Sequence, residues 1–600
     1  MNINGLNLAL SLSIVFIFLF LITPVIYVFG YLLPHISECA RYFYVKLPPD
    51  GEVFRIYETR DGPLISFTGL DFGPFLNSIF LSISSASVIV LAALLSSLTC
   101  LGLRGFPRLL MGYLIPFIAA LPMPLLSGYA VLHLFHRDFG LLNNLVIKPL
   151  FGFKIAFEGI IGVFIYQVLN FYPIAHLILF TYMDSIDRVL IETALSLGDS
   201  GWGITRKIIL PLSKPAIIAT YSLIMILSLE DLGGPIVFSR YNSARNVLSY
   251  LAYYDFISEY GYTISLRSLA YVLTMCCIAL LVFAFSWKSI KRSLYPIVSP
   301  SKVYIEYGGF TKAMMLFSTT LFHLLSLIIV LMIFGYSITN NWFGNLLPSR
   351  ITMENYLGVL TNPYYSRAFL NTVIYSAVSV LLILVLSYVM AYGVYRSRST
   401  LSAIIDSITG LPIAIPGIAV GIGYFTMFHG LFRGIPFMSP LSNPVPYLIL
   451  AYTVRRFTYM YRPLSAGLQK VGVNMEEQSL SLGANPFKTA LSITLPLIMG
   501  QLIAGSMITS LYVSTEFSTS VILVGGYGVM ASHPAPITPV IFNSLIYNPL
   551  LVHITSALIV LTLLTSTSFS LVLVFLLVTS LSGVRAKNLV YMLSGRAKTG

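Results

Sequence analysis

The chain has 600 residues, of which 57% are hydrophobic and only 10% charged, with a mean hydropathy of +0.85. Soluble domains carry about a quarter charged residues, so this composition excludes a soluble protein and points to repeated crossings of a bilayer. The formal net charge of +13 would suggest nucleic acid in a soluble chain; here it fits basic loops on one side of a membrane, and no nucleic-acid partner is expected.

In chain order, helix one covers about 6–33 and lacks the basic start of a signal peptide, which makes it an uncleaved membrane helix. A polar segment follows as far as Pro74, holding Glu38, Asp50, Glu52, Glu58, Asp61 and Asp71, which suit water or a soluble partner equally. Helices two to six lie at about 76–101, 109–135, 159–182, 213–238 and 266–288. A linker over 289–312, with Lys291, Arg292, Lys302 and Lys312, reads as a solvated connector. Helices seven to twelve lie at about 313–336, 369–395, 404–430, 444–462, 498–524 and 551–582. The four cysteines, Cys39, Cys100, Cys276 and Cys277, imply no disulfide framework.

The second half repeats the first. Glu192 to Leu212 (ETALSLGDSGWGITRKIILPL) and Glu477 to Leu497 (EQSLSLGANPFKTALSITLPL) align without a gap, nine of their 21 positions being identical, and Trp202 falls opposite Phe487. Ile186, Leu190, Ala194 and Leu197 recur at helical spacing, as do Val471, Met475, Ser479 and Leu482, so each set is expected on one helix face. Gly198 and Gly483 should end those helices in a tight turn, and Pro211 and Pro496 suit the first turn of the next. Arg188 is placed to pair with Glu192, but Val473 holds that place in the second copy. Further echoes are Phe75-Leu76-Asn77-Ser78 against Phe369-Leu370-Asn371-Thr372, and Leu121-Pro122 against Leu411-Pro412. The expectation is an all-α polytopic membrane protein of about 12 transmembrane helices in two parallel six-helix repeats. Lys and Arg are in excess on the face that carries both repeated loops, the linker and both termini, counting Arg455 and Arg456 at the inner end of helix ten.

The pattern Glu-Ala-Ala, three residues, Gly, nine residues, Ile-x-Leu-Pro resembles the EAA loop of binding-protein-dependent ABC importer permeases. It is matched at Glu192, Ala194, Gly198, Ile208, Leu210 and Pro211, and at Glu477, Gly483, Ile493, Leu495 and Pro496; Thr193, Gln478 and Ser479 stand where the family has alanine. The resemblance implies two fused type-1 permease domains over 75–288 and 369–582, with EAA loops at 184–212 and 466–497. The flanking parts are 1–74, the linker 289–312, the segment 313–368 and a cytoplasmic tail 583–600. It also implies two cytoplasmic ABC ATPase subunits docked on the two loops, with Trp202 and Phe487 as aromatic anchors, and an extracytoplasmic solute-binding protein. A single chain carrying both halves is similar to the ferric-iron and thiamine importers, with ferric iron preferred.

The sequence holds no G-x-x-x-x-G-K-[ST] phosphate loop, so ATP hydrolysis is expected on a separate subunit. No acid, base and nucleophile cluster suggests an enzyme, no cofactor is implied, and His133 and His136 read as polar caps rather than metal ligands. Asp231 and Glu516 lie at matching repeat positions, each twenty residues past the loop proline, and are the pathway candidates because an acid within the membrane is costly. Gly233-Gly234-Pro235 should break the helix beside Asp231. Two exposed carboxylates there would attract a cation; two helix caps would not. The rival reading is an ion-coupled secondary transporter of the two-half, twelve-helix kind, which would use the same acids.

Overall fold

A computed structural model of the chain describes residues 11–59, 62–121, 123, 125–258, 265–293, 304–397, 402, 405–406, 408–432, 434–471, 473–524 and 534–582. Linker residues 294–303, Pro122 and the tail 583–600 therefore lie outside the described residues. The protein is an all-α membrane protein. Among the described residues eight helices are long and apolar enough to cross a bilayer, and nine if the bent pair Pro486–Leu497 and Met499–Ser514 forms one span.

Where the predicted twelve differ from these, breaks and charges account for it. Helix three is split into Gly105–Ala119 and Leu126–Leu134 around Leu-Pro-Met-Pro, helix nine into Leu411–Ala414 and Gly417–Leu431 at Pro416. At Pro416 the chain lacks the N–H that would continue the ladder. Helix five stops at Glu230 and resumes at Gly233, as the Gly-Gly-Pro run predicts. Helix eleven breaks between Ser514 and Ser518 without proline, at Thr515-Glu516-Phe517. Helix ten, Val445–Lys470, is long enough to span but carries Arg455, Arg456 and Arg462. The two adjacent arginines sit near its middle rather than at its inner end, which corrects their place in the charge count.

Two compact units emerge, and neither is a continuous stretch of chain. One holds residues 32–357 and 544–557; the other holds 1–31, 358–543 and 558–600. Helix seven, Gly309–Ser337, thus packs in the unit of the first half. Its His323 receives the Tyr172 hydroxyl at 2.8 Å and donates to the Met111 carbonyl at 2.7 Å, and its Thr319 donates to Thr99 at 2.8 Å. Helix one packs in the unit of the second half, where the Phe20 carbonyl accepts from the Tyr424 hydroxyl at 2.5 Å and Pro24 lies against Gly423.

The Phe-Leu-Asn-Ser/Thr echo has a structural cause. In the first half Asn77 donates to the Asn246 carbonyl at 2.9 Å and the Ser78 hydroxyl accepts the N–H of Leu248 at 2.8 Å. In the second, Asn371 donates to the Ala535 carbonyl at 3.2 Å and Thr372 accepts from Ile537 at 2.8 Å. Each motif pins the loop that enters a later helix, Leu248–Ser258 or Ile537–Tyr547, the asparagine holding a loop carbonyl and the hydroxyl satisfying a first-turn N–H that has no partner within the helix. One feature outside the all-α expectation is a small sheet in the first unit: β1 (Phe54–Thr59) runs antiparallel to β2 (Gly62–Phe67), which runs parallel to β3 (Lys154–Phe157).

Candidate docking loops and the acids at the helix breaks

Both repeated loops fold alike. Arg188–Ser196 and Val473–Ser481 are helices that end in glycine, Gly198 with φ +86° and Gly483 with φ +87°. Asp199 donates to the Ala194 carbonyl and Gly198 to Leu195, each at 3.0 Å; Ala484 donates to Ser479 at 3.1 Å and Gly483 to Leu480 at 3.0 Å. This paired bonding closes a helix with a left-handed residue, where glycine costs least. The space beside both glycines is open, so backbone conformation rather than crowding selects them. A short helix follows in each copy, capped by Ser200 accepting from Gly203 at 3.1 Å and by Asn485 accepting from Lys488 at 2.7 Å. Each then widens into a π turn, Thr205–Ile209 or Ala490–Thr494, before Pro211 or Pro496 in the first turn of the next helix.

The side chains sort into two faces, and the expected apolar stripe does not hold as one face. Ile186 and Ala194 are buried, but Leu190 is exposed and Leu197 is 82% exposed; Val471 and Ser479 are buried, but Met475 is exposed and Leu482 is 89% exposed. The outward face carries the two leucines, Trp202 (57% exposed), Phe487 (58% exposed), Glu192 and Glu477. Arg188 pairs with Glu192 at 2.6 Å, and beside Glu477 an open groove is lined by Asn474, Gln478, Ser481 and Leu482. An apolar patch presented identically by two loops is a surface suited to a partner.

Sequence reasoning missed Glu476, the neighbour of Glu477. It is fully buried, paired with Arg396, and accepts from Thr494 at 2.6 Å and Tyr392 at 3.4 Å. A signal existed: Arg396 ends a long apolar helix and needs an acid.

Asp231 and Glu516 do sit at matching helix breaks, in different company. Asp231 accepts from the Gly233 N–H at 3.1 Å and from Gln167 at 3.1 Å, and Gln167 in turn accepts from Ser85 at 2.9 Å and Ser228 at 2.6 Å. Glu516 is buried between Arg455 and Arg456, both ion-paired to it, and accepts from Thr519 at 3.0 Å. It is therefore not an open carboxylate, and the picture of two acids drawing in a cation loses one of its charges. Among the described residues no group of three or more His, Cys, Asp or Glu side chains could hold a metal ion. His133 instead bonds Tyr336 at 2.6 Å and donates to the Asn345 carbonyl at 3.1 Å.

The chain is similar to two permeases of Haemophilus influenzae. The putative ferric transport system permease protein FbpB 1 is 25% identical over 428 residues, 68% of this chain and 62% of the relative. The Fe(3+)-transport system permease protein FbpB 2 is 25% identical over 378 residues, 61% of this chain and 68% of the relative. The ferric transport system permease protein FbpB of Actinobacillus pleuropneumoniae is 24% identical over 421 residues, 68% of this chain and 57% of the relative. The chain thus spans less than two thirds of the length of two of these relatives. The model of the family described as binding-protein-dependent transport system inner membrane component matches twice, over residues 63–296 and 383–582, each match containing one of the two loops. With well over half its length matched in two repeats, the chain is a multi-pass membrane protein that belongs to the family of binding-protein-dependent transport system inner membrane components.

Proposed function

We propose that this chain is the permease of an ABC importer that carries ferric iron delivered by an extracytoplasmic solute-binding protein. Two cytoplasmic ATPase subunits dock on the two loops, and both termini lie in the cytoplasm. The chain itself provides the path and hydrolyses nothing. One observation carries the reading: two loops, 285 positions apart by the spacing of Gly198 and Gly483, repeat the same left-handed turn, cap and exposed aromatic. Such duplication serves two copies of one partner. Ferric iron is preferred because the names of all three relatives carry it. Asp231 and Glu516 belong to the wall of that path as caps of broken helices, since each is already engaged by neighbouring donors.

The test is Trp202→Ala combined with Phe487→Ala, each anchor being worth about 2 kcal/mol or more if it acts as a hot spot. The double variant should insert normally, lose the ATPase on purification and lose uptake of ferric iron into vesicles charged with ATP and the binding protein. Wild-type stoichiometry and uptake would refute docking at these residues. Thiamine transported in place of iron would refute the substrate and leave the docking intact.

A further inference from the structure

We infer that the end of the connector between the two halves, Tyr304 to Gly308, is a positioning element of the first docking loop, an inference that rests on the docking reading above. The segment lies across the loop. The Ile305 N–H donates to the Leu101 carbonyl at 3.1 Å, and the Ile305 side chain is buried in the cluster that holds Ile191, Ala194 and Ile204 of the loop. The Tyr307 hydroxyl lies 3.1 Å from that of Thr205, and its ring meets the Trp202 ring edge-on with centroids 6.2 Å apart.

Two glycines make room for this crossing. A Cβ on Gly201 would overlap the Glu306 carbonyl oxygen, and one on Gly102 would stand 2.9 Å from the Tyr307 ring. At the register of the second copy neither glycine is kept: Pro486 replaces Gly201, and Arg396 replaces Gly102, each lying 25 residues past Asn371 or Asn77 respectively for the latter pair. Gly201 in the first loop is thus explained by the chain that passes over it. Because Gly309 begins helix seven one residue later, the same segment ties the Trp202 anchor to that helix. A displacement of the loop by its ATPase would pull on helix seven through Ile305 and Tyr307.

The experiment uses the full chain with its ATPase and binding protein in liposomes, and reads ferric iron transported per ATP hydrolysed alongside thermal unfolding. Tyr307→Leu keeps apolar volume against Gly102 but removes the ring edge from Trp202; Tyr307→Phe keeps the edge. Tyr307→Leu is expected to lower transport per ATP at least ten-fold with unfolding close to wild type, and Gly201→Ala to lower it as far while displacing the connector and lowering the unfolding temperature, whereas Tyr307→Phe stays within two-fold. Transport per ATP within two-fold of wild type for Tyr307→Leu and Gly201→Ala overturns the inference. So does a loss by Tyr307→Leu that merely tracks a fall in unfolding temperature. If the wild-type chain supports no ATP-driven transport at all, the docking reading fails instead, which separates the two.

Discussion

Four buried positions under the two docking loops match one for one and are filled by opposite chemistry. The first half has Ile191, Ala194, Ile204 and Ile209; the second has Glu476, Ser479, Thr489 and Thr494. In the first, these side chains join an apolar cluster with Leu98, Phe180 and the connector's Ile305. In the second, Glu476 takes Arg396 and Thr494 as partners and Ser479 lies 2.9 Å from Thr489. The helix breaks differ the same way, Asp231 resting on a neutral amide and Glu516 on two arginines. A backbone frame can therefore outlive the side chains that support it, provided every buried polar group changes together with its partner.

The comparison is most strongly tested at the breaks. Glu516→Gln leaves Arg455 and Arg456 without their buried counter-charge and should cost about 3–5 kcal/mol, the usual loss on breaking a buried pair. Asp231→Asn keeps a hydrogen-bonding cap and should cost about 1 kcal/mol. Thermal unfolding in detergent, with uptake at limiting substrate, checks both; equal losses would remove the distinction between the halves. A smaller effect is expected under the loop, where Arg396 reaches solvent. Arg396→Leu should destabilise by about 2–3 kcal/mol through stranded Glu476. Adding Glu476→Ile imports the chemistry of the first half and should restore most of that loss, whereas additive losses in the double variant would show that the ion pair is not the unit.

Where the halves agree, they should respond alike. Gly198→Ala or Gly483→Ala should cost about 1 kcal/mol, because φ is left-handed in open space, and the β-branched Val at either site about 1–2 kcal/mol. Equal tolerance of Ala and Val would argue against the turn. The smallest effect is at the entry to helix two, where the first half is the ionic one. Burial raises the Asp71 carboxyl, but hydrogen bonds from Lys46, Asn77, Gly73 and Asn246 outweigh it and hold it below the usual carboxylate value. Tyr365 stands at the matching register of the second half. A depressed folded value gives stability above the ordinary carboxyl pKa that is lost as pH falls through the folded one. Unfolding temperature should thus drop on acidification below about pH 4, and Asp71→Asn should flatten that drop while lowering stability at neutral pH.

Much of this frame was legible in the chain. Gly198 and Gly483 announced their turns and Gly233-Gly234-Pro235 its break, because each is a local requirement written in one or two residues, whereas the echo at Asn77 and Asn371 marked a repeat without revealing the distant loops they hold. The faces of the loop helices were not. Leu190 and Leu197 have the spacing of a core stripe, and periodicity cannot tell a leucine that meets its own fold from one kept bare for a partner. Arg455 and Arg456 were misplaced because a charge in an apolar helix suggests an end, whereas a distant acid can hold it in the middle. Nor does spacing along a chain reveal which half a flanking helix will join.

That last point bears on how the molecule is made. Helix one lacks the body it packs into until residues beyond 358 have been synthesised, and the unit of the first half waits for Gly309–Ser337 and then for 544–557. Apolar faces of both must wait in lipid or against an insertion factor, so neither half can be completed and set aside before the other begins. A chain severed between its halves would yield two partial bodies, each holding a helix that the other needs, and they would regain the fold only by finding one another.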